Sequence, residues 1–367
     1  MTTPRQRILA VLAGKRPDVL PWFGDLDYWA SALIGRGEKP ADFKRSKVYI
    51  DWHRRLGVGF YLQGYFPFRT IIENCSITEW QEGDNKFRQI ETPKGTLREC
   101  WTYIPQSFTE APTEHLIKSE ADLPAYIYIH ENTYYEPAYD FANTRQEQIG
   151  EMGVLLCYLP KSPFMQMVAL DAGIMAVTMM FMNDQALLEE TLTVVRKSHD
   201  RAARIAVASP AEVLMIPENL SSEMVGPKFF ESYMKDYHTY WASRIKSAGK
   251  YSFIHLDGTL KGLLRQECQT GLSVIEAMTP SPSGDLAVSE WAKYAQGTKA
   301  ILWGGVPGIY FTEHVGDAEF DRHTIEVINI MKREPRYVLG VADQVPPDGL
   351  ERRVMRVGEL VEKYGAY

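Results

Sequence analysis

This 367-residue sequence contains short apolar runs that are separated by longer segments with helical periodicity. This alternation limits the possible folds more than any other feature of the sequence. The eight runs occupy residues 19–23, 59–65, 153–160, 213–218, 251–257, 272–278, 300–308 and 337–343. Alternation of strand and helix predicts a parallel sheet, and eight strands favour a closed (β/α)8 TIM barrel over an open sheet. Runs that are apolar throughout agree with strands buried on both faces.

Four segments between these runs carry the periodicity and end signals of helices. The first opens with Asn183 or Asp184 as its N-cap and keeps an apolar face to about residue 206. The others cover residues 226–249, 289–297 and 320–334. Each lies directly before a predicted strand, as α/β alternation requires.

The interval between the second and third runs is too long for a single crossover. Residues 78–104 in it alternate in polarity and contain Gly-rich turns, a pattern typical of a β-hairpin. We therefore predict a β-hairpin insertion, within a lid region over residues 66–150 that covers the barrel mouth. Residues 1–367 are treated as one elaborated domain.

Composition narrows the class of partner. The sequence is 45% hydrophobic, which is enough for a large core, and has a net charge of -7 without a Lys/Arg-rich run. Nucleic acid and anionic membrane surfaces are therefore disfavoured as partners. We expect a cytoplasmic protein that binds a small molecule or another protein, with oligomerisation left open. The four cysteines are too widely spaced for a disulfide framework or a CxxC pair.

Polar residues at the C-terminal ends of the predicted strands are the candidate functional residues, because barrel enzymes carry their working residues there. They are Asp25, Asp27, Glu218, Asn219, His255, Asp257, Glu276 and Asp343. In the stretch "YSFIHLDGTL", the two-residue period of a strand puts His255 and Asp257 on one face. Together with carboxylates of other strands, they form a nitrogen and oxygen ligand set suited to zinc.

Two alternatives to a metal site remain open on spacing alone. Asp257 either orients His255 through a hydrogen bond, or both side chains satisfy buried backbone groups. Of the other histidines, His199 and His238 lie in helical patterns, where packing or solvation is expected. His314 follows the seventh run and could reach the barrel mouth.

Several segments resemble the uroporphyrinogen decarboxylase superfamily. The opening "TPRQRILAVLAGKRPDVLPWF" is similar to its N-terminus, and "SPFMQMVALDAGIMAVTMMFMND", "HLDG", "ILWGGVPG" and "GVADQVPPDG" resemble later segments in the same order. The resemblance extends over nearly the whole chain. It implies a (β/α)8 barrel, in agreement with the strand count.

The superfamily contains two chemistries, of which the residues disfavour one. True uroporphyrinogen decarboxylases bind a polycarboxylate tetrapyrrole through an arginine-bearing motif of the W-x-M-R-Q-A-G-R type. The matching stretch here, "PWFGDLDYW", has Asp25 and Asp27 and no arginine. Such an acidic loop would repel a polycarboxylate, which disfavours decarboxylation in heme biosynthesis. That activity is the alternative function.

The other branch consists of corrinoid-linked methyltransferases, some of which bind zinc through H-x-C and a later cysteine. This sequence has Asp257 in the place of the first cysteine and Asp343 near the place of the second. The resemblance thus implies a metal bound by His255, Asp257, Asp343 and Glu218. An oxygen-rich shell suits polarisation of an ether or alcohol oxygen better than activation of a thiol.

The resemblance implies a metal-assisted methyltransferase that moves a methyl group from an O-methyl substrate, a methoxyaromatic being one candidate, to a corrinoid-binding protein. Glu218, Glu276 and His255 are the expected catalytic residues. The expected substrate-binding residues are Trp22, Asp25, Tyr28, Asn219 and Trp303, although the aromatic ones among them could equally be core. A third hypothesis is a non-catalytic tetrapyrrole or corrinoid-binding scaffold.

Overall fold

A computed structural model describes residues 2–61 and 65–367. Its helices are α1 Pro4–Leu12, α2 Asp27–Gly35, α3 Lys47–Leu56, α4 Leu123–Glu131, α5 Asp140–Ile149, α6 Pro163–Gln166, α7 Gly173–Asn183, α8 Gln185–Ala208, α9 Pro227–Phe229, α10 Lys235–Ser247, α11 Leu264–Gln269, α12 Val288–Ala295, α13 Asp317–Met331 and α14 Glu351–Tyr364. Its strands are β1 Phe68–Ile72, β2 Ser76–Glu82, β3 Asn85–Thr92, β4 Gly95–Ile104, β5 Thr109–Glu114, β6 Thr133–Pro137, β7 Leu156–Tyr158, β8 Val213–Leu220, β9 Tyr251–Leu256, β10 Val274–Met278, β11 Ile301–Pro307 and β12 Tyr337–Ala342.

The chain divides into two compact units. The first contains Met1–Tyr65, Tyr139–Tyr158 and Pro210–Tyr367, and the second contains Phe66–Ala138 and Leu159–Ser209. The prediction of one domain over residues 1–367 with an insertion at 66–150 stays a prediction. Residues 159–209 belong to the second unit, in which helix α8 packs against α4 and β6.

A parallel six-stranded sheet forms the centre of the first unit. Its order is β12-β11-β10-β9-β8-β7, so strands that follow one another in the chain are neighbours. These strands coincide with the third to eighth apolar runs, which confirms the predicted α/β fold and its parallel sheet. Each crossover between them carries helical structure.

The first two apolar runs form isolated parallel bridges. Trp22 bridges Leu339 of β12, Phe23 bridges Gly59, and Phe60 bridges Gly153 just before β7. A side chain at position 59 would meet the Phe23 ring, since a Cβ there would lie 2.4 Å from its nearest carbon. Residues 62–64 of the second run lie outside the described residues.

Alternate residues of the sheet face one hydrophobic core. On β8 these are Val213 and Met215, and Phe253 of β9 and Val274 of β10 belong to the same cluster. Trp303 lies among them without exposed surface, 4.4 Å between ring centroids from Tyr61. Its indole N–H donates to the carbonyl of Phe23. Trp303 therefore lies in the core, and its contact with a substrate stays a prediction.

The second unit contains a four-stranded antiparallel sheet of order β2-β3-β4-β5 and the antiparallel pair β1-β6. The alternating pattern of residues 78–104 thus corresponds to antiparallel strands, and the role of a lid stays a prediction. Within the unit, the Arg201 guanidinium of α8 donates to the carbonyls of His130 and Thr133. In the described part of the chain, no helix has the length and apolarity needed to cross a bilayer.

Candidate functional site

His255 and Glu276 form a buried pair at the C-terminal ends of adjacent strands. The parallel register of β9 and β10 sets the two residues side by side. Both continue the phase of residues that face the core, Phe253 and Val274. The Nδ1 of His255 donates to Oε2 of Glu276 at 2.7 Å, and Glu276 is fully buried. The sheet therefore fixes the orientation of the imidazole.

Tyr61 supports this pair from a different segment of the first unit. Its hydroxyl donates to the other carboxylate oxygen of Glu276, Oε1, at 2.7 Å. Burial, followed by the charge of Glu276, raises the pKa of Tyr61 well above its usual value. The phenol thus stays protonated, and both oxygens of Glu276 are engaged by donors.

The second nitrogen of His255 faces an aspartate. Nε2 lies 3.4 Å from Oδ1 of Asp343, whose side chain is 51% exposed. Burial lowers the pKa of His255, but Glu276 and Asp343 outweigh it and raise the pKa well above its usual value. The position therefore favours positive charge strongly, as either a protonated ring or a cation bound in place of the proton.

His255, Asp257 and Asp343 each offer a ligand atom, and these atoms lie within 4.8 Å of one another. Oδ1 of Asp257 is buried and has no hydrogen-bond partner among residues 2–61 and 65–367. Burial raises the pKa of this carboxyl group. One imidazole nitrogen and two carboxylates are a hard donor set that suits a divalent cation such as zinc. These three side chains therefore fit the zinc ion that the resemblance to the superfamily implies.

Neighbouring loops hold the segment that follows β9. Oδ1 of Asp285 accepts from the backbone N–H of Leu260 at 2.7 Å. The hydroxyl of Ser222, which follows β8, donates to Thr259 at 2.7 Å. Asp257 thus opens a loop that is tied down on two sides.

Three residues at the strand ends have left-handed backbone conformations that side chains rarely adopt. Asn219, Ala277 and Asp343 have φ values of 53°, 67° and 65°. They belong to or follow β8, β10 and β12. Strained backbone concentrates at functional sites, where the surrounding structure enforces it. At Asp343 it breaks the strand alternation, which explains how this side chain reaches His255.

Asp25 is a buried carboxyl group with an unmatched oxygen. Its Oδ1 accepts from the backbone N–H of Asp27 at 2.7 Å, and its Oδ2 has no hydrogen-bond partner within the described ranges. Burial, and then the charge of Asp27, raise the pKa of Asp25 well above its usual value. Asp27 differs in that it pairs with Lys44 at 2.8 Å. Environment thus separates two neighbouring aspartates into a buried carboxyl group with a raised pKa and a carboxylate that pairs with Lys44.

Glu218, predicted to be a metal ligand and a catalytic residue, lies outside the group of His255, Asp257 and Asp343. It accepts from Nε2 of His238 on α10 at 2.8 Å, and both side chains are fully buried. Val213 and Met215 of the same strand face the core, so Glu218 has the opposite phase and turns toward the helices. The roles of Glu218 as a metal ligand and a catalytic residue stay predictions.

His238 is more than the packing residue predicted from its helical pattern. Its Nδ1 lies 3.0 Å from Oε1 of Glu267 on α11. Burial opposes the charge on His238, but Glu267 and Glu218 raise its pKa to about 10. An imidazolium between two carboxylates therefore connects β8, α10 and α11. Nothing in the sequence pattern shows which carboxylates a helical histidine meets.

The remaining predicted residues occupy different surroundings. Trp22 is 6% exposed and stacks on Phe311 with 6.2 Å between ring centroids. Tyr28 is half-buried in the first turn of α2, and Asn219 is exposed. Contact of these residues with a substrate stays a prediction.

Two tyrosines near the acidic residues escaped the sequence analysis, Tyr61 and Tyr158. Tyr158 ends β7, and burial followed by the charges of Asp25 and Asp27 raises its pKa well above the usual value. Both lie within runs that were read as apolar. The signal available was a hydroxyl-bearing ring within a predicted strand.

The sequence matches a known protein family over the segment that contains the group of His255, Asp257 and Asp343. The family model described as "Uroporphyrinogen decarboxylase (URO-D)" matches residues 130–364, well over half of the chain. The chain belongs to the uroporphyrinogen decarboxylase family. The match includes β8 to β12 and with them His255, Asp257, Glu276 and Asp343. The resemblance to this superfamily predicted from sequence is confirmed.

A similar solved structure is a methyltransferase from Methanosarcina mazei. It aligns with this URO-D family member over 99% of either chain, with a TM-score of 0.63 and 14% sequence identity. At that identity the likeness shows a shared fold. No curated protein matches the chain.

Proposed function

We propose that this URO-D family protein is a methyltransferase that moves a methyl group from an O-methyl substrate to a corrinoid protein. The observation that carries the proposal is the group of His255, Asp257 and Asp343 in a chain of this family. The fold shared with a methyltransferase supports the same chemistry. A methoxyaromatic is the favoured substrate, because a departing aryloxide is more stable than an alkoxide.

The proposal includes closure of the parallel sheet into a (β/α)8 barrel. Bridges from Trp22 to β12, from Phe23 to Gly59 and from Phe60 to Gly153 support it, since they connect the two edge strands of the sheet. In such a barrel, His255 would lie at the C-terminal mouth, where substrates bind.

His255, Asp257 and Asp343 would hold the metal ion, for which we propose zinc. A cation there would satisfy the buried oxygen of Asp257, which otherwise bears a desolvation cost. When bound, the ion supplies Lewis-acid stabilisation of the negative charge that develops on the ether oxygen. Glu276 accepts from Nδ1 of His255 and so keeps Nε2 directed at Asp343, while Tyr61 fixes Glu276.

Asp25 would donate the proton that the departing oxygen requires. When the O–CH3 bond breaks and the methyl carbon passes to the corrinoid protein, the bonding electron pair stays on the oxygen. A proton delivered there gives the neutral alcohol or phenol. The carboxyl of Asp25 suits this role because it is buried, its pKa is raised, and Oδ2 is unmatched in the described part of the protein.

Decarboxylation of a tetrapyrrole is the second candidate, favoured by the family match itself. The carboxylates at the strand ends argue against it, because they would repel a substrate rich in carboxylates. These are Asp27, Asp257, Glu276 and Asp343. A non-catalytic scaffold is the remaining alternative.

Incubation of the zinc-loaded protein with 2-methoxyphenol and reduced cobalamin tests the proposal, with catechol measured by chromatography. We expect catechol from the wild type and from Asp18→Asn, which alters an exposed aspartate of the same unit. We expect at least a tenfold slower reaction from Asp257→Asn. Formation of coproporphyrinogen from uroporphyrinogen, or absence of any turnover, would favour the decarboxylase or the scaffold.

A further inference from the structure

We infer that the second compact unit carries a binding site for a neutral single-ring phenol, in a cavity built only from residues of that unit. The cavity has a volume of about 330 Å³, and all its lining residues belong to Phe66–Ala138 and Leu159–Ser209. This volume lies at the small end of the range for ligand pockets, as a one-ring molecule requires. The inference does not depend on the proposed methyl transfer.

Apolar side chains from four elements form the walls. They include Phe68 of β1, Ile90 of β3, Ile129 of α4 and Tyr135 of β6. The rings of Phe68 and Tyr135 meet edge to face, with 5.5 Å between centroids. Aromatic rings pack against others in edge-to-face or offset arrangements, so these walls favour a flat ring over a saturated one.

An arginine contributes an unmatched donor to the cavity. Arg88 pairs through Nη2 with Glu99 at 2.6 Å, and its Nε is buried without a hydrogen-bond partner in the described chain. A buried N–H that lacks an acceptor costs free energy, and a ligand oxygen would recover it. Since Glu99 already balances the charge of Arg88, the ligand oxygen does not need to be anionic.

A histidine contributes the second unmatched atom. Nδ1 of His130 is buried and has no hydrogen-bond partner within residues 2–61 and 65–367. Burial, followed by the charges of His199 and Arg201, lowers the pKa of His130 to about 3, so the ring is neutral. In a neutral imidazole Nδ1 either donates or accepts. A phenolic hydroxyl satisfies either form, because it can both donate and accept.

The other charged groups of the cavity have opposite signs. Asp171 accepts from Tyr126 and from Gln166 through Oδ2, and Lys161 lines the same cavity. One acid and one ammonium group leave little net charge for an ionic ligand to match. A neutral ligand with an aromatic ring, a hydroxyl and a second oxygen therefore fits best.

The test is calorimetric titration of the full-length protein with 4-hydroxyacetophenone, which has the ring, the hydroxyl and a carbonyl acceptor. We expect saturable binding of one equivalent at this cavity. The substitution Thr70→Trp, which fills the cavity from β1, should abolish that binding. The control Thr78→Trp changes an exposed threonine of β2 outside the cavity and should bind like the wild type. Acetophenone and the ring-saturated analogue should bind at least tenfold more weakly.

His130→Phe gives a second variant that keeps the ring shape and removes both nitrogens. We expect it to weaken 4-hydroxyacetophenone at least fivefold and to leave acetophenone unchanged. Equal binding by Thr70→Trp and Thr78→Trp, or absence of binding by the wild type, would overturn the inference. Asp257→Asn should bind the phenol like the wild type, so failure of the metal proposal and failure of this site can be distinguished.

Discussion

At the scale of single residues, the proposed chemistry depends on how Glu276 and Asp25 differ. Glu276 accepts from Tyr61 and His255, so it holds other groups in place. Asp25 has an oxygen without a protein partner in the described ranges and a raised pKa. The proposed chemistry thus assigns different roles to two buried carboxyl groups of one unit, one in positioning and one in proton transfer.

Replacement of Glu276 tests the positioning role. Glu276→Gln keeps the volume but removes the charge that faces Nδ1 of His255. We expect zinc affinity to fall by about 10- to 100-fold, as is usual when a partner of a ligating histidine is lost. Competition with a chromogenic chelator measures this. Glu290→Gln, an exposed residue of α12, is the matched control, and an unchanged affinity of Glu276→Gln would contradict the role.

Replacement of Asp25 tests proton donation. Asn at this position retains an oxygen for the backbone N–H of Asp27 but cannot donate an acidic proton. We expect kcat for catechol formation to fall by about 10²- to 10⁴-fold, with little change in KM. Steady-state kinetics measure both constants. A variant with the wild-type kcat would remove Asp25 from the reaction.

Part of this site could be predicted from the sequence for a clear physical reason. The strand period placed His255 and Asp257 on one face, and their ligand atoms lie within 4.8 Å of each other although β9 ends at Leu256. The contact of Glu218 with His238 could not be predicted, because an apolar run gives no indication of which face is inward. Tyr61 was overlooked because a buried tyrosine looks like any other apolar residue of its run.

At the scale of elements, the buried ion group of Glu218, His238 and Glu267 ties one strand to two helices. Each side chain is fully buried, and the imidazolium is balanced by carboxylates on both sides. Removal of one member leaves the others uncompensated in a region of low dielectric constant. We therefore expect the group to act in stability and not in metal binding.

Glu218→Ala separates these two roles. We expect the free energy of unfolding to fall by about 3–5 kcal/mol, as for loss of one partner of a buried ion pair. Zinc content per folded chain should stay the same, because Glu218 contacts His238 and not His255. Chemical denaturation and metal analysis are the two measurements. Glu223→Ala, which removes an exposed carboxylate nearby, is the control, and zinc loss specific to Glu218→Ala would restore it as a ligand.

Element boundaries could be predicted better than element packing. The helix opened by Asp184 begins where the capping signal placed it, since the Asp184 carboxylate accepts from the N–H of Leu187. Its assignment to the second unit was not predictable, because periodicity reveals an apolar face but not the surface that covers it. Likewise, residues 19–23 form only isolated bridges. Whether an apolar run becomes a regular strand depends on the strands that lie beside it, and the β-propensity of its residues does not reveal these.

At the scale of the whole molecule, the second unit contains a group whose ionisation affects stability. Burial raises the pKa of Asp171 to about 6. Because the folded value exceeds the unfolded one, the folded protein retains a proton that the unfolded chain releases between about pH 4 and pH 6. Stability from this group is thus lost as pH rises through that window, by about 3 kcal/mol.

Asp171→Asn should remove this dependence. We expect the wild type to lose unfolding free energy relative to the variant when the pH is raised from 4.5 to 7.5. Denaturant titration at the two pH values measures it, with Asp84→Asn, an exposed aspartate of the same unit, as the control. A difference that does not change with pH would show that Asp171 ionises alike in both states.

The rate of 2-methoxyphenol demethylation before and after removal of metal tests the central claim most directly. With reduced cobalamin as the acceptor, chelation should abolish catechol formation, and added zinc should restore it in the wild type but not in Asp257→Asn. The same rate in chelated and zinc-loaded protein would contradict a metal site built from His255, Asp257 and Asp343.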